Sequence, residues 1–221
     1  PAFAVDRTEV ILLKLRELID AKIIPNIPIY VDSPMALAAL NYYREAVTTE
    51  SPEIRPGAHE KWHDQDPFDT GKLFQAQTTA ESIAINDVTG NAIIISASGM
   101  ATGGRVVHHL QQLLPDPKNT IMLVGFQAAG TRGRALEEGQ TQLKMYGQWI
   151  PVNAKVVKVE SFSVHADADE LVAWLKQTKK PQYAFVVHGE RDGQLGMQQR
   201  LTDRLHWDVT IPKAGQVFSV E

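Results

Sequence analysis

Apolar and polar residues follow one another along this chain with two different periods. Between residues 8 and 22 the apolar side chains recur at positions 11, 12, 15, 18 and 19, which is the spacing of one helix face. The run Ile29–Asp32 then predicts a short buried strand. Pro34 suits the first turn of a second helix, which we expect to continue to about Val47.

The same alternation continues to the end of the chain. Polar residues rich in Pro, Gly and Asp predict a surface excursion over 48–69, and Leu136–Gly139 is interpreted as a polar connection. Further strands are predicted at 92–96, 121–125, 155–159 and 182–187. Further helices are predicted at 168–177, at 195–206 and in the segment that ends at Leu114. A terminal strand pair is predicted from Val209 onwards, around Pro212–Gly215. The fold class is therefore α/β with a largely parallel sheet flanked by helices.

In such sheets functional residues gather where the strands end, and Asp32, Ser98, Gly125 and His188 all follow predicted strands. The composition is that of an ordinary globular protein, with 43% hydrophobic and 22% charged residues. There is no cysteine, so disulfides and cysteine-based zinc sites are excluded, and a metal would need His, Asp or Glu.

The formal charge of −4 hides an asymmetry between the two halves of the chain. Residues 1–100 contain 14 acidic and 8 basic side chains, whereas residues 101–221 contain 12 acidic and 14 basic ones. Only the second half has the net positive charge that suits a polyanion, and its excess of basic over acidic side chains is small. Phosphate binding there would depend on backbone amides and a few placed arginines.

Two glycine-rich segments follow neighbouring predicted strands and are candidates for such binding. Ser96–Arg105 joins a strand to a helix, and its glycines allow free N–H groups to approach an anion. Gly125–Arg134 repeats the arrangement with two arginines. The candidate substrate-binding residues are Ser98, Gly99, Gly103, Gly104, Arg105, Arg132 and Arg134. The alternative is a pair of ordinary turns with solvated arginines, and neither segment has the spacing of a nucleotide-binding motif.

Two histidines follow strand-like runs and precede a turn or a helix. His188 comes after Phe-Val-Val and suits a zinc ligand, with Glu190 nearby. His165 suits a general acid, with Asp167 as the residue that orients its imidazole and Asp169 as a helix N-cap or first-turn residue. Taken singly, each histidine is as well explained by an ordinary structural role.

Three other histidine patterns are given structural interpretations. His59-Glu-Lys-Trp-His63 has the zincin spacing, but its polar, Pro- and Gly-rich surroundings favour a surface loop. His108 and His109 lie in a predicted helix and point to different sides, which makes a ligand pair unfavourable. His206 is interpreted as a helix-end residue.

Six segments together resemble the β-CASP metallo-β-lactamase nucleases, in the RNA-processing branch related to the cleavage and polyadenylation endonuclease. They are Pro1–Val5, Ile29–Ala36, Ser96–Arg105, Gly125–Gly133, Ser161–Asp167 and Val187–Glu190. The resemblance implies a β-CASP domain over 1–158, followed by the C-terminal segment of a metallo-β-lactamase domain over 159–221. Asp6 stands where relatives usually have glycine, and Val164 where alanine is commoner.

The resemblance also implies roles for individual residues. His165 is similar to the motif B histidine, which contacts the scissile phosphate and donates a proton to the leaving group. His188 is similar to the motif C histidine, a zinc ligand in RNA-cleaving members. The glycine-rich segments correspond to the family's substrate groove, and two zinc ions would activate the attacking hydroxide.

The His-x-His-x-Asp-His motif of the family occurs nowhere in these 221 residues. We therefore expect a cytoplasmic, zinc-dependent ribonuclease whose N-terminal metallo-β-lactamase half is missing here, with single-stranded RNA as substrate and a homodimer as one possible assembly. The fragment alone should be inactive. A non-catalytic RNA-binding module and a hydrolase of DNA or small phosphodiesters remain the alternatives.

Overall fold

The helical stripe near the N-terminus forms α1 (Arg7–Asp20), as predicted. A computed structural model describes residues 1–62, 64–162 and 165–220 of the chain. The strand after α1 is β1 (Ile29–Asp32), and α2 (Pro34–Thr48) follows directly. Pro34 occupies the first turn of α2, and the Ser33 hydroxyl accepts a hydrogen bond from Ala36 N at 3.2 Å. Such a cap stabilises a helix by about 1 kcal/mol.

The remaining elements alternate as the sequence pattern indicates. They are α3 (Ala58–Trp62), β2 (Leu73–Gln75), α4 (Thr79–Ala84) with a 3-10 turn (Ile85–Asp87), β3 (Ile93–Ser96), α5 (Arg105–Leu113), β4 (Thr120–Leu123), α6 (Arg132–Glu137), β5 (Gln142–Met145), β6 (Gln148–Pro151), β7 (Lys155–Lys158), α7 (Ala168–Leu175), β8 (Ala184–Phe185), α8 (Arg191–Leu205) and β9 (Val209–Thr210).

The strands pair in short sheets that are mostly parallel. β1 lies between β2 and β3 and is parallel to both, with Ile29 opposite Leu73 on one side and Ile93 on the other. β4 pairs in parallel with β7, and β8 with β9. The β5–β6 hairpin is antiparallel. The prediction of an α/β fold with mainly parallel strands flanked by helices is confirmed.

The chain divides into two compact units, Pro1–Ser163 and Val164–Glu221. Unit 1 has two apolar cores. One packs α1 and α2 against β1 and β3 around Leu12, Leu40 and Val31, each with no exposed surface. The other packs α5 and the β5–β6 hairpin against β4 around Leu123 and Met145. The double core fixes the ends of β3 and β4, where the two glycine-rich segments begin.

Unit 2 has a smaller core of its own. Val172 of α7, Leu201 of α8 and Val209 of β9 are buried together with Trp207. Asp167 and Glu170 form a capping box at the start of α7, in which each side chain accepts a hydrogen bond from the other residue's backbone N–H. No helix in the described part of either unit is long and apolar enough to cross a bilayer.

Several sequence-based expectations are wrong. Leu136 does not lie in a polar connection: it belongs to α6 and is 1% exposed. The terminal strand pair is also absent from 209–220, where β9 is a two-residue strand paired with β8. The strand predicted at 182–187 is reduced to Ala184–Phe185, and α8 begins four residues before the predicted position 195.

Other elements were not predicted. β2, α4 and the strands of the β5–β6 hairpin have only three to six residues each, so they are too short to show a reliable period. The short helix α3 lies within 48–69, where a surface loop was expected.

Candidate functional site

The two glycine-rich segments lie side by side in unit 1. We call residues 97–104, after β3, the first loop and residues 124–131, after β4, the second loop. Gln127 of the second loop is 1% exposed, and its Nε2 donates to Gly99 O and to Gly125 O, both at 3.0 Å. Gly133 N, at the start of α6, donates to Met100 O at 3.0 Å. These bonds hold the two loops in one arrangement.

Packing explains two of the loop glycines. The Phe3 ring lies against both loops, so a Cβ added at Gly99 would come within 2.8 Å of the ring and one at Gly125 within 3.1 Å. The approach of Phe3 thus requires glycine at both positions, and ligand binding at Gly99 stays a prediction.

Gly103 differs from those two glycines, whereas a Cβ added at Gly104 would lie 3.1 Å from Ala97 O. Gly103 is exposed, and a Cβ there would meet no atom within 4 Å. Gly104 has a φ of +78° and ends the first loop at the N-terminus of α5. Ser98 is half-buried, and its Oγ accepts a hydrogen bond from Thr102 N at 3.1 Å. The open side of the first loop therefore presents Gly103 backbone and the α5 N-terminus to solvent.

The three candidate arginines all have protein partners. Arg105 Nη1 lies 2.7 Å from Asp32 Oδ1, and its guanidinium also donates to the carbonyls of Ala76 and Gln77. Arg132 donates to the carbonyls of Ala101, Thr102 and Lys144. Arg134 pairs with Glu138 at 2.7 Å and donates to Gln127 O. Arg132 thus supports the first loop and Arg134 the second, whereas Arg105 ties the end of β1 to the segment before α4. The use of all three as phosphate ligands stays a prediction.

A buried polar network underlies the first loop. The Asp32 carboxylate has no exposed surface and accepts hydrogen bonds from Ser82 Oγ at 2.6 Å and from Arg105, while His109 Nε2 lies 2.6 Å from its Oδ2. Burial by itself raises the pKa of Asp32, but the hydrogen bonds from His109, Ser82 and Arg105 outweigh it and hold that pKa below its ordinary value. The network joins β1, α4 and α5.

His109 and Gln127 are the residues that sequence reasoning missed. The sequence predicted that His108 and His109 face different sides of a helix, and this is confirmed: His109 is buried, whereas His108 is exposed. The sequence could have suggested the contact between His109 and Asp32, because it places a histidine on the buried face of a helix and an aspartate at the end of a strand. No sequence signal identifies Gln127, because its role depends on where two loops meet.

The zincin-like motif has a local role at its first histidine. His59 lies in α3, its Nδ1 is 2.8 Å from Val47 O, and its Nε2 is 3.0 Å from Glu50 Oε1. His63 lies outside the described residues. Nearby, a cavity of about 290 Å³ is lined by the end of α2 and by Asp64–Pro67.

Unit 2 carries the candidate catalytic residues. His165 is exposed and precedes α7 by three residues. Asp167 is the N-cap of α7, where its Oδ1 accepts hydrogen bonds from Asp169 N and Glu170 N, each at 2.8 Å. Asp169 lies in the first turn and is not the cap. The predicted role of Asp167 is to orient the His165 imidazole, and the same carboxylate would have to do this while it caps α7.

His188 is exposed and precedes α8 by three residues. It has a φ of +64° and is followed by Gly189 with a φ of +92°. Non-glycine residues adopt such a φ infrequently, and they concentrate at functional positions. This conformation turns the chain sharply between β8 and α8.

The two helices after these histidines contact one another. Asp169 Oδ1 lies 2.7 Å from Arg204 Nη1 and 3.7 Å from Arg200 Nε. The start of α7 therefore lies against the C-terminal half of α8, whereas His188 precedes the first residue of α8. Convergence of the two imidazoles on one site stays a prediction.

The described residues do not assemble a complete metal site. Across 1–62, 64–162 and 165–220 no three His, Asp or Glu side chains are grouped as ligands of one ion. Zinc in catalytic sites takes about three protein ligands. An exposed imidazole such as His188 is a suitable donor, but within the described chain it can supply one ligand only.

Two parts of the chain match known protein families. Residues 8–136 match the model of the Beta-Casp domain. Residues 149–212 match that of the Zn-dependent metallo-hydrolase RNA specificity domain. The first match covers α1 to most of α6 and thus both loops.

Three curated relatives illustrate the individual matches. The chain is 35% identical over 220 residues, its whole length, to the RNase J-like protein of Methanocaldococcus jannaschii. It is 34% identical over 216 residues, 98% of the chain, to Ribonuclease TTHA0252 of Thermus thermophilus. It is 32% identical over 199 residues, 86% of the chain, to Transcription termination factor FttA of M. jannaschii. The chain spans 49%, 48% and 30% of these relatives' lengths.

Proposed function

This chain belongs to the Beta-Casp domain family, and on that premise we propose that the intact protein is a zinc-dependent ribonuclease that hydrolyses phosphodiester bonds of single-stranded RNA. The observation that carries the proposal is the alignment of the whole chain with an RNase J-like protein and of 98% of it with a ribonuclease. The match of 149–212 to an RNA specificity domain of metallo-hydrolases supports both the metal and the RNA.

The domain division follows from the same premise. We assign residues 1–158 to the β-CASP domain and residues 159–221 to the C-terminal segment of a metallo-β-lactamase domain. Two compact units support a division of this kind. Since the chain spans about half of the first two relatives, we assign the remaining zinc ligands to a metallo-β-lactamase half outside these 221 residues.

His188 and His165 have different parts in this proposal. His188 contributes one imidazole ligand to the metal, which supplies Lewis-acid stabilisation and an activated water when bound. His165 holds a proton at its imidazole and passes it to the leaving oxygen of the RNA. The exposure of both side chains leaves them accessible to groups from outside this chain.

The paired loops bind the RNA backbone in the proposal. The contacts of Arg105, Arg132 and Arg134 with protein groups favour a supporting role for these three side chains. We assign direct phosphate contact to the Ser98 hydroxyl and to the backbone around Gly103 and Gly104, where the first loop is open and the α5 N-terminus attracts an anion. The lack of cysteine fits a reducing cytoplasm, which is the compartment we propose.

The proposal is tested with end-labelled single-stranded RNA. The full-length protein should cleave it, cleavage should stop when a chelator removes the metal, and zinc should restore it. The 221-residue chain alone should not cleave at the same concentration. DNA of identical sequence serves as the matched substrate, and the full-length protein should hydrolyse it at least tenfold more slowly. Chelator-sensitive cleavage by the 221-residue chain, or equal cleavage of DNA, would contradict the proposal.

A further inference from the structure

The β5–β6 hairpin has one buried face and one exposed face. Leu143, Met145 and Ile150 belong to the apolar core under α5. On the opposite face Lys144 and Trp149 lie directly across from one another in the antiparallel register. Directly opposed side chains of a hairpin lie on the same face and within contact distance.

Trp149 is 64% exposed although its strand is fixed in the core by Ile150. Its cross-strand neighbour Lys144 is exposed, and no ion pair to Lys144 is found within 1–62, 64–162 and 165–220. A large indole, on the same hairpin face as Lys144, is thus exposed to solvent on a rigid support.

A second aromatic group stands at the tip of the hairpin. The Tyr146 ring stacks on the His108 ring of α5, with centroids 4.7 Å apart and an interplanar angle of 17°. The Tyr146 hydroxyl lies 2.9 Å from His108 Nε2, and Tyr146 is 56% exposed. The stack fixes the orientation of the tyrosine ring and leaves much of its surface accessible.

The backbone at the tip makes tyrosine an unfavourable choice for structure alone. Tyr146 and Gly147 have φ values of +48° and +81°, so the two-residue turn has positive φ at both positions. Turns of this type favour Asn-Gly or Asp-Gly, and a bulky residue there is strained. The stack on His108 offsets part of this strain, and the exposed part of the Tyr146 ring is open to a further contact.

The charge around the hairpin matches a polyanion. Arg132 Nε donates to Lys144 O at 3.1 Å, so a second basic side chain reaches the hairpin beside Lys144 itself. Single-stranded nucleic acid combines phosphates with flat base faces, and proteins bind it by stacking bases on aromatic side chains in basic surroundings.

We propose that Trp149, Lys144 and the His108–Tyr146 stack form a stacking surface for bases of single-stranded RNA, separate from the residues assigned to the scissile phosphate. The inference rests on the proposed function and deepens it, since it assigns a contact for unpaired bases. The bases stack on the Trp149 and Tyr146 rings, and Lys144 faces an adjacent phosphate.

The test measures binding of labelled oligouridylate to the 221-residue chain at one fixed salt concentration. Trp149→Thr keeps a strand-favouring residue and should weaken binding about tenfold, the effect of losing one base stack. Tyr146→Asn removes the ring but places the favoured residue in the turn, so the urea midpoint should be unchanged or higher while affinity falls. Trp174→Ala is the matched control, because Trp174 is 65% exposed outside the hairpin, and it should bind like wild type.

Tryptophan fluorescence gives a second readout. RNA should quench the wild-type chain, and Trp149→Thr should lose most of that quenching, whereas Trp174→Ala should keep it. Three results would overturn the stacking surface. The two hairpin variants could bind RNA as tightly as wild type, the wild-type chain could fail to bind RNA, or the chain could form a dimer that Trp149→Thr dissociates. RNA cleavage by the full-length protein that continues unchanged in Trp149→Thr and Tyr146→Asn would overturn this surface and leave the proposed ribonuclease function standing.

Discussion

His109 Nε2 lies 2.6 Å from Asp32 Oδ2 in a site where Asp32 has no exposed surface and the His109 side chain is 6% exposed. Together with Ser82 and Arg105, His109 completes the hydrogen bonding of a buried carboxylate. Removing one partner from a buried charge costs several kcal/mol, because the charge stays desolvated. The contact therefore anchors α5 to the end of β1.

The first prediction follows from that contact. His109→Ala should lower the free energy of unfolding by about 3 kcal/mol, measured by urea denaturation of the 221-residue chain. His108→Ala is the matched control, since the neighbouring histidine is exposed, and it should cost less than about 1 kcal/mol. If both substitutions lowered the free energy of unfolding by the same amount, the buried network would make no specific contribution to stability.

Asp6 provides a second prediction. Asp6 has φ +63° and ψ −46°, and Arg7 N donates to Val5 O at 2.7 Å, so Asp6 is the central residue of a strained γ-turn. Asp6→Gly should raise the free energy of unfolding by about 1 kcal/mol, because glycine adopts this conformation without a Cβ clash. Asp6→Ala removes the same carboxylate but keeps the Cβ, and it should gain less than Asp6→Gly. Urea midpoints that rank the two variants in the reverse order would refute the strain.

Glu9 should make stability depend on pH. It is 2% exposed, neither carboxylate oxygen has a hydrogen-bonding partner among the described residues, and burial raises its pKa from 4.5 to about 7. The folded state therefore holds a proton that the unfolded chain has lost, so this contribution is full below pH 4.5 and disappears as pH rises through 7.

Between pH 5.5 and pH 8 wild type should lose about 2 kcal/mol of stability through Glu9 that Glu9→Gln does not lose. Burial lowers the pKa of the Pro1 ammonium from 8.0 to about 6, so this group adds stability over the same range in both proteins, and only the difference between them reports on Glu9. The measurement is urea unfolding of both proteins at the two pH values. Asp32 acts in the opposite sense: its pKa is held below 3.8, so its contribution is present above pH 4 and is lost in acid. A Glu9→Gln variant with the same pH slope as wild type would contradict the assignment to Glu9.

Gly133 of α6 and Gly103 of the first loop should respond differently to alanine. A Cβ at Gly133 would lie 1.6 Å from Gln127 Oε1, and Gln127 cannot move without losing its bonds to Gly99 O and Gly125 O. Gly133→Ala should cost about 3 kcal/mol. Gly103→Ala should change stability by less than about 1 kcal/mol, yet it should weaken RNA binding, because its methyl group occupies the open side of the first loop. A Gly103→Ala chain with unchanged RNA affinity would remove Gly103 from the binding surface.

Much of the framework could be predicted from the sequence. α1, α2, β1, β3 and α5 each have a strong apolar pattern, α2 also has a proline in its first turn, and the sequence predicts each close to its observed bounds. The β5–β6 hairpin was not predicted, since its turn is Tyr146-Gly147 rather than Asn-Gly and its strands mix Gln, Lys and Trp. α6 was missed because a six-residue helix shows too few apolar positions to reveal a period.

The candidate site could be predicted only in part. The glycine-rich motifs located both loops, but their joining depends on Gln127 and Phe3, which are distant in sequence and carry no motif. The carbonyl and carboxylate partners of the arginines could not be predicted, because only the folded chain brings these groups near, and phosphate binding by the arginines stays a prediction. Residue type alone does not distinguish these roles.

The central claim is that His188 is a metal ligand of a ribonuclease, and it is tested most directly by metal content and RNA cleavage of the full-length His188→Ala variant. His206→Ala is the control, because His206 is also an exposed histidine with positive φ, at +53°. His188→Ala should lose bound zinc and at least about 100-fold in cleavage rate, while His206→Ala should keep both. Full zinc content and wild-type cleavage in His188→Ala would contradict the claim.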